Sequence, residues 1–204
     1  MNTKTNGIAI FDLDGTITKK DTFIDFIIFC RGRNYFIFGI LILIPWIFLH
    51  KIRLYPNHKL KEKFFKFYLS NFSTNELNKL GDLYGEVRLP DITYKEAIKQ
   101  INWHKQNQHR IIVLTASSPI WLSKWCENMN IELIGTEYII KGNKYIGKIA
   151  GKNCYGIEKK KIVQELLNHY PSIETYGYGD SKADKLFINS LKHRYYKPIW
   201  TIKK

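Results

Sequence analysis

Cysteine is scarce in this 204-residue chain: Cys30, Cys126 and Cys154 lie far apart, and none belongs to a Cys-x-x-Cys pair. That argues against a disulfide framework and a zinc ribbon, and for a reducing compartment. Only 6 Pro and 13 Gly stand beside 45% hydrophobic residues, which excludes a collagen-like or disordered chain. Acidic residues are also few, 18 against 32 Lys and Arg, for a net charge of +14. So basic a surface suits polyanions, either nucleic acid or an anionic membrane face, and says nothing about fold. Nucleic acid is not the expected partner, because aromatic and basic residues do not interleave on a strand surface or in a helix-turn-helix. The first apolar stretch, Gly7 to Phe11, runs straight into Asp12. It does not read as a signal-peptide core, so a cytoplasmic location is expected.

One apolar run needs separate treatment. The 17 residues from Asn34 to His50 include no Lys, Arg, Asp or Glu. A spanning helix needs roughly 20 apolar residues, about 17 at the least, and this run has Pro45 inside it and polar ends. It fits a packed or partly exposed helix of a helical lobe, or a helix lying in a membrane interface, better than a true span. Arg31 and Arg33 precede it; Lys51, Arg53, Lys59, Lys61, Lys63 and Lys66 follow. Basic side chains around an apolar face suit peripheral contact with anionic phospholipid, at the inner face of the cytoplasmic membrane. Solvated charges around a helical hairpin bent at Pro45 would look the same.

From Lys19 to Ser70 ten Lys or Arg face three acids, and the pattern is helical. Ser73 or Thr74 can cap a further helix, with Glu76 behind it. Residues 19–88 therefore read as a helical insertion after a first strand at 8–11. Beyond Pro90 helix and strand alternate. A helix is expected over 93–106, a buried strand at 110–115, and a helix capped by Ser118 with Pro119 at its first position. A strand over 131–140 and a return strand over 144–149 flank the turn Lys141-Gly142-Asn143. A helix over 156–169, a strand over 174–178, a helix over 184–190 and edge strands at 193–196 and 199–202 complete the pattern. The class is α/β with a mostly parallel sheet.

Two acids follow the first strand directly, in Phe11-Asp12-Leu13-Asp14-Gly15-Thr16. Acids two apart can share a hard cation such as Mg²⁺ if one supplies a side chain and the other a backbone oxygen. Gly15 permits the sharp turn that exposes them. Two other strands end in polar groups, at Thr115 and at Asp180, with Asp184 just beyond. In open α/β sheets ligands bind at the carboxyl ends of the strands, so these groups are candidates for one site. His109, His193 and Cys154 read as packing residues.

FDLDGT, LTAS, GIEKK and YGDSKAD, in this order, resemble the four signatures of the haloacid-dehalogenase-like hydrolases. Within that group, DLDGTITKKDTF, the arm IELIGTEYIIKGNKYIGKI and CYGIEKKK resemble the phosphoserine-phosphatase-like subfamily. The apolar run, the Cys-x-Gly-x-Glu-Lys pattern and HRYYKP are similar to the phosphatidylglycerophosphatase C type. The resemblance implies a Rossmann-like core, residues 1–18 and 89–204, and a helical C1 cap, residues 19–88. It implies a Mg²⁺-dependent phosphomonoester hydrolase that forms an aspartyl-phosphate, with Asp12 as nucleophile and Asp14 as general acid/base. Thr115 and the Ala116 amide would hold phosphate oxygens, Lys159 would pair with Asp12, and Asp12, Asp14 and Asp180 would hold the metal with Asp184 in support. Asp21 falls where cap-gating acids occur. Phosphatidylglycerophosphate is the substrate that resemblance favours; a soluble phosphomonoester such as phosphoserine or a sugar or nucleotide phosphate is the alternative. Gly15 stands where phosphoserine phosphatases usually have Ser, and the cap is more apolar than theirs.

Overall fold

A computed structural model describes residues 5–198 and 200. Five parallel strands form one sheet in the order β3-β2-β1-β6-β7. They are β1 (Gly7–Phe11), β2 (His109–Leu114), β3 (Glu132–Ile134), β6 (Glu174–Gly179) and β7 (His193–Tyr196). Central β1 is buried along its whole length, as an apolar run in a parallel sheet covered on both faces must be. It pairs Gly7 with His109 on one side and with Glu174 on the other.

Alternate residues feed two cores. Ala9, Phe11, Ile111 and Val113 join a cluster with α6 (Lys95–Gln106), α7 (Pro119–Asn128) and the helical insertion. Ile8, Ile10, Ile112 and Leu114 pack with α8 (Ile157–Asn168) and α9 (Lys185–Ile188) on the opposite face. Successive strands are added on one side of β1 up to β3 and then on its other side from β6, and this switch opens a crevice at the carboxyl ends of β1 and β6. This is the usual ligand position in such sheets. Phe11, Tyr178 and Tyr195 stack across three strands, with centroids 4.2 and 4.6 Å apart, just before the chain leaves β1 and β6.

Between β1 and α6 lie α1 (Thr22–Arg31), α2 (Arg33–Lys51), α3 (Asn57–Tyr68), α4 (Thr74–Leu83), a π-helical turn (Tyr84–Arg88) and α5 (Leu89–Ile92). Asp21 caps α1 by accepting from the Ile24 amide, and Ser73 and Glu76 close a reciprocal capping box on α4. Pro45 sits inside α2, which continues through it. Only Gly39 and Leu43 of α2 are fully buried. Gly39 lets the helix close on Tyr68 and Phe67 of α3, and the Tyr68 hydroxyl donates to the Phe36 carbonyl.

Two sequence expectations change. The strand expected over 131–140 breaks at 135–137, and its two halves serve different sheets: β3 joins the parallel sheet, while β4 (Tyr138–Lys141) pairs antiparallel with β5 (Lys144–Ile149). That hairpin packs on α3 rather than on the core sheet. Phe65 stacks on Tyr138 at 3.9 Å, Glu62 accepts from the Ile149 amide, and Gly147 meets the Lys66 backbone where a Cβ would collide. The helix expected over 184–190 shortens to Lys185–Ile188. The edge expected at 199–202 lies outside the described residues except at Trp200.

A half-buried ion pair ties α1 to the π-helical turn. Arg88 grips both oxygens of Asp25 at 2.8 and 2.9 Å, and the Tyr84 hydroxyl adds a third donor. Burial alone would raise Asp25, but Arg88 and Lys20 outweigh it and hold the carboxyl below its ordinary value of 3.8. The pair therefore contributes its full stability above pH about 4 and loses it as pH falls further. We expect Asp25→Asn to cost about 1–3 kcal/mol at pH 7. Urea unfolding at pH 7 and pH 3 should show the gap between wild type and variant narrowing at the lower pH; an equal gap would refute this account.

Candidate active site

β1 and β6 deliver the central carboxylates. Asp12 follows β1 directly, and its amide donates to the Tyr178 carbonyl of β6. Asp180 follows β6, and Asp184 precedes α9. Oxygens of Asp12, Asp180 and Asp184 lie within 4.8 Å of one another. Gly15 has φ +88°, and a Cβ there would sit 2.5 Å from Asp180 Oδ2, so only glycine lets the loop after β1 approach this carboxylate.

One lysine balances the cluster. Lys159, in the first turn of α8, is 2% exposed. Its ammonium donates to Asp12 Oδ1 at 2.5 Å and to Asp184 Oδ1 at 2.8 Å. Lys160 and Lys161, the next two residues, are less buried. Asp184 is held further by the Ser181 amide and hydroxyl, and Thr16 Oγ1 lies 3.3 Å from Asp12 and 3.2 Å from Asp180.

Charge bookkeeping leaves an excess. Burial pushes the Asp12 carboxyl up to about 7 against the pull of Lys159, with Asp184 and Asp14 adding to the rise. Burial and Asp184 likewise raise Asp180. Burial alone would lower Lys159, but Asp12 and Asp184 outweigh it and hold the ammonium above its usual range. Three clustered carboxylates against one buried ammonium fit a hard divalent cation such as Mg²⁺, whose ligands are oxygens.

Asp14 occupies a different environment. Its Oδ1 accepts from the Thr22 amide at 2.7 Å and its Oδ2 from the Ser117 hydroxyl at 2.6 Å. Its carboxylate is therefore turned to the insertion and to the loop after β2, outside the three-carboxylate group, and any share in a cation would fall to its backbone oxygen. Burial raises its pKa, and nearby Asp21 raises it further. Thr115 follows β2 directly and is fully buried, and its Oγ1 accepts from the Ser117 amide at 3.0 Å. The Ala116 carbonyl accepts from Lys61 of α3 at 2.7 Å. Asp21 spends one oxygen capping α1.

The structure thus brings Asp12, Lys159 and Asp184 into direct contact with Asp180 within 4.8 Å of the other two acids, sets Thr115, Ala116 and Asp14 beside them, and leaves Asp21 at the rim. Sequence reasoning missed Thr16, Thr22, Lys61, Ser117 and Ser181. Thr16, Ser117 and Ser181 lie inside the signature segments, where adjacency to an acid was a usable signal. Trp200, whose indole donates to the Thr16 carbonyl at 2.9 Å, carried none.

The sequence model of the haloacid dehalogenase-like hydrolases matches residues 9–187. Protein CicA of Caulobacter vibrioides is 24% identical over 180 residues, covering 87% of this chain and 79% of CicA. A solved structure of a Bordetella pertussis Tohama I protein of unknown function is similar at a TM-score of 0.76, with 18% identity and coverage of 92% of this chain and 87% of that one. A probable phosphoserine phosphatase from Vibrio cholerae gives a TM-score of 0.61 at 11% identity, over 91% of this chain and 55% of its own.

Removing the lysine should expose its part in the cluster. We expect Lys159→Met, in Mg²⁺-free buffer at pH 7, to lose about 3–5 kcal/mol, because buried carboxylates lose their counter-charge. Lys160→Ala and Lys161→Ala should change stability by about 0.5 kcal/mol or less. Lys159 is raised in the folded state, so its contribution is complete below about pH 10.5 and lost only as pH rises through its folded value. Guanidinium unfolding of the three variants decides the point, and equal losses would show that Lys159 has no special place.

Proposed function

The chain belongs to the haloacid dehalogenase-like hydrolase family, and from that premise we propose that it is a Mg²⁺-dependent phosphatase of a water-soluble phosphomonoester, working through an aspartyl-phosphate on Asp12. The observation that carries this reading is the separation of two neighbouring acids. Asp12 sits on Lys159 among the carboxylates, while Asp14 is turned away onto Thr22 and Ser117.

Asp12 Oδ attacks phosphorus as the bond to the leaving oxygen breaks. Lys159 offsets the repulsion between this carboxylate and the phosphoryl dianion. Asp14, raised by burial and by Asp21, gives its proton to the leaving oxygen. It then takes a proton from the water that hydrolyses the acyl phosphate, so one difficult step becomes two easier ones. Thr115 and the Ala116 amide hold phosphoryl oxygens. Asp12, Asp180 and the Asp14 backbone oxygen would hold Mg²⁺, with Asp184 fixing Lys159 and the loop around it. Bound there, the cation adds positive charge against the developing charge of the transferring group.

We take residues 19–88 as the cap and residues 1–18 and 89–204 as the catalytic core. A soluble substrate is supported by the polar groups that the insertion turns to the site, the Thr22 amide on Asp14 and Lys61 on the Ala116 carbonyl. A cavity of about 530 Å³ lies between the first turn of α3 and the loop before α8, lined by Asn57, His58, Lys59, Glu62, Lys152 and Asn153 among others. Its volume suits a small metabolite. The similar Vibrio cholerae protein is described as a probable phosphoserine phosphatase.

The apolar helix favours a second reading, a lipid phosphomonoester such as phosphatidylglycerophosphate. By length and composition α2 is long and apolar enough to cross a membrane. Phe38, Leu41 and Phe48 are 56–61% exposed. With Arg31, Arg33, Lys51 and Arg53 at its ends, this face suits an anionic bilayer surface at the inner side of the cytoplasmic membrane.

A Mg²⁺-dependent phosphate-release screen should find turnover of a soluble monoester that exceeds turnover of phosphatidylglycerophosphate in detergent. Asp12→Asn and Asp14→Asn should each lose at least about 10²-fold. Near wild-type turnover by Asp12→Asn would end the covalent mechanism. Preference for the lipid, with sedimentation on phosphatidylglycerol vesicles that Ile42→Asp and Ile44→Asp abolish, would establish the second reading instead.

A further inference from the structure

α3 carries Lys59, Lys61, Lys63 and Lys66 within twelve residues, and three of them have ordinary surroundings. Lys59 lies 3.5 Å from Glu62, Lys63 lies over the Trp46 ring of α2, and Lys66 is exposed. Lys61 differs. Its ammonium reaches the Ala116 carbonyl at 2.7 Å, past the Phe23 ring. The charges that act on it belong to the site: Asp14, Asp21 and Lys159. Burial lowers its pKa, and the two acids oppose that. Ordering a lysine side chain costs rotamer entropy that a solvated lysine on this helix would not lose.

The carbonyl it holds is conjugated to the Ser117 amide. That amide donates to Thr115 Oγ1 at 3.0 Å. An ammonium on the carbonyl polarises the peptide group and strengthens the amide as a donor. A threonine hydroxyl that accepts on one side has its own proton free to point elsewhere, here toward the phosphoryl position. The same residue, Ser117, donates its hydroxyl to Asp14 and accepts from Thr22 at 2.9 Å. One short turn therefore connects α3 to both the phosphate-binding hydroxyl and the proton carrier.

We propose that Lys61 is a positioning residue: docked on the Ala116 carbonyl, it orients the Thr115–Ser117 turn, so that this turn is competent only while α3 is seated over the site. The proposal rests on the phosphatase reading above. It makes the seating of the helical cap and the assembly of the phosphate cradle one event, linked through a single ammonium.

Beryllium fluoride with Mg²⁺, an analogue of the phosphorylated aspartate, provides the test. In wild type it should slow hydrogen exchange in both 115–118 and α3. In Lys61→Met the protection should weaken at 115–118 and disappear from α3. The kcat of that variant should fall about 10- to 100-fold, the scale of a small misplacement near the chemistry. Lys61→Arg should recover both signals. Equal protection of α3 in wild type and Lys61→Met, or an unchanged kcat, would overturn the proposal. A Lys61→Met protein unfolded at the assay temperature would overturn it as well, since Lys61 would then be a folding residue. A wild type that neither turns over phosphomonoesters nor responds to beryllium fluoride would instead bring down the phosphatase reading itself.

Discussion

Everything at the carboxyl end of the sheet depends on one ammonium placed between two buried acids. Lys159 comes from a helix that follows the β4–β5 hairpin, while Asp12 and Asp184 come from opposite ends of the chain. Carboxylates at such separations repel strongly in a poorly solvated site, and without a counter-charge they would protonate or move apart. Lys159 therefore determines how closely the loops after β1 and β6 can approach. Gly15 then sets the minimum distance between those loops, because any side chain there would meet Asp180. The electrostatics and the sterics act on the same gap.

Much of this was legible in the sequence for a simple reason: a buried parallel strand that ends in carboxylates has few structural explanations. Gly7–Phe11, the Thr115 strand end and the Gly179-Asp180 strand end were each readable as apolar runs cut short by polar groups. Where reading failed, the missing information was tertiary. Gly135 was a weak signal of the break at 135–137, but only the packing of Tyr138 on Phe65 assigns the second half to the hairpin. Thr22 and Ser117 are common hydroxyl residues whose meeting on Asp14 joins positions 95 apart in the chain. Lys61 was hidden among similar lysines, since composition cannot say which of four points inward.

The helical insertion has two unlike sides. Toward the core it combines apolar contacts, such as Phe23 and Phe26 on Trp121, with polar ones, Thr22 on Asp14, Lys61 on Ala116 and Glu62 on the hairpin. Away from the core, α2 turns a continuous apolar face outward. A small lobe usually spends its large apolar residues on its own interior. Here that interior is built instead from Phe26, Phe65, Tyr68, Leu77 and Tyr84 on the other helices, all of them fully buried. The α2 face is thus surplus to the packing of the lobe, which is the property shared by surfaces that meet something else.

The position of β1 also shapes how the protein is made. It is the central strand and precedes the other four strands of its sheet in the chain, yet its partners Gly7↔His109 and Gly7↔Glu174 lie about 100 and 170 residues later. Contacts so distant in sequence are slow to form, because loop closure must precede any gain from pairing. During synthesis one edge of the apolar β1 segment is therefore unprotected until β6 appears, and the outward face of α2 stays exposed throughout. Folding of the sheet should be late and abrupt, and the nascent chain should depend on holdase chaperones for most of its length.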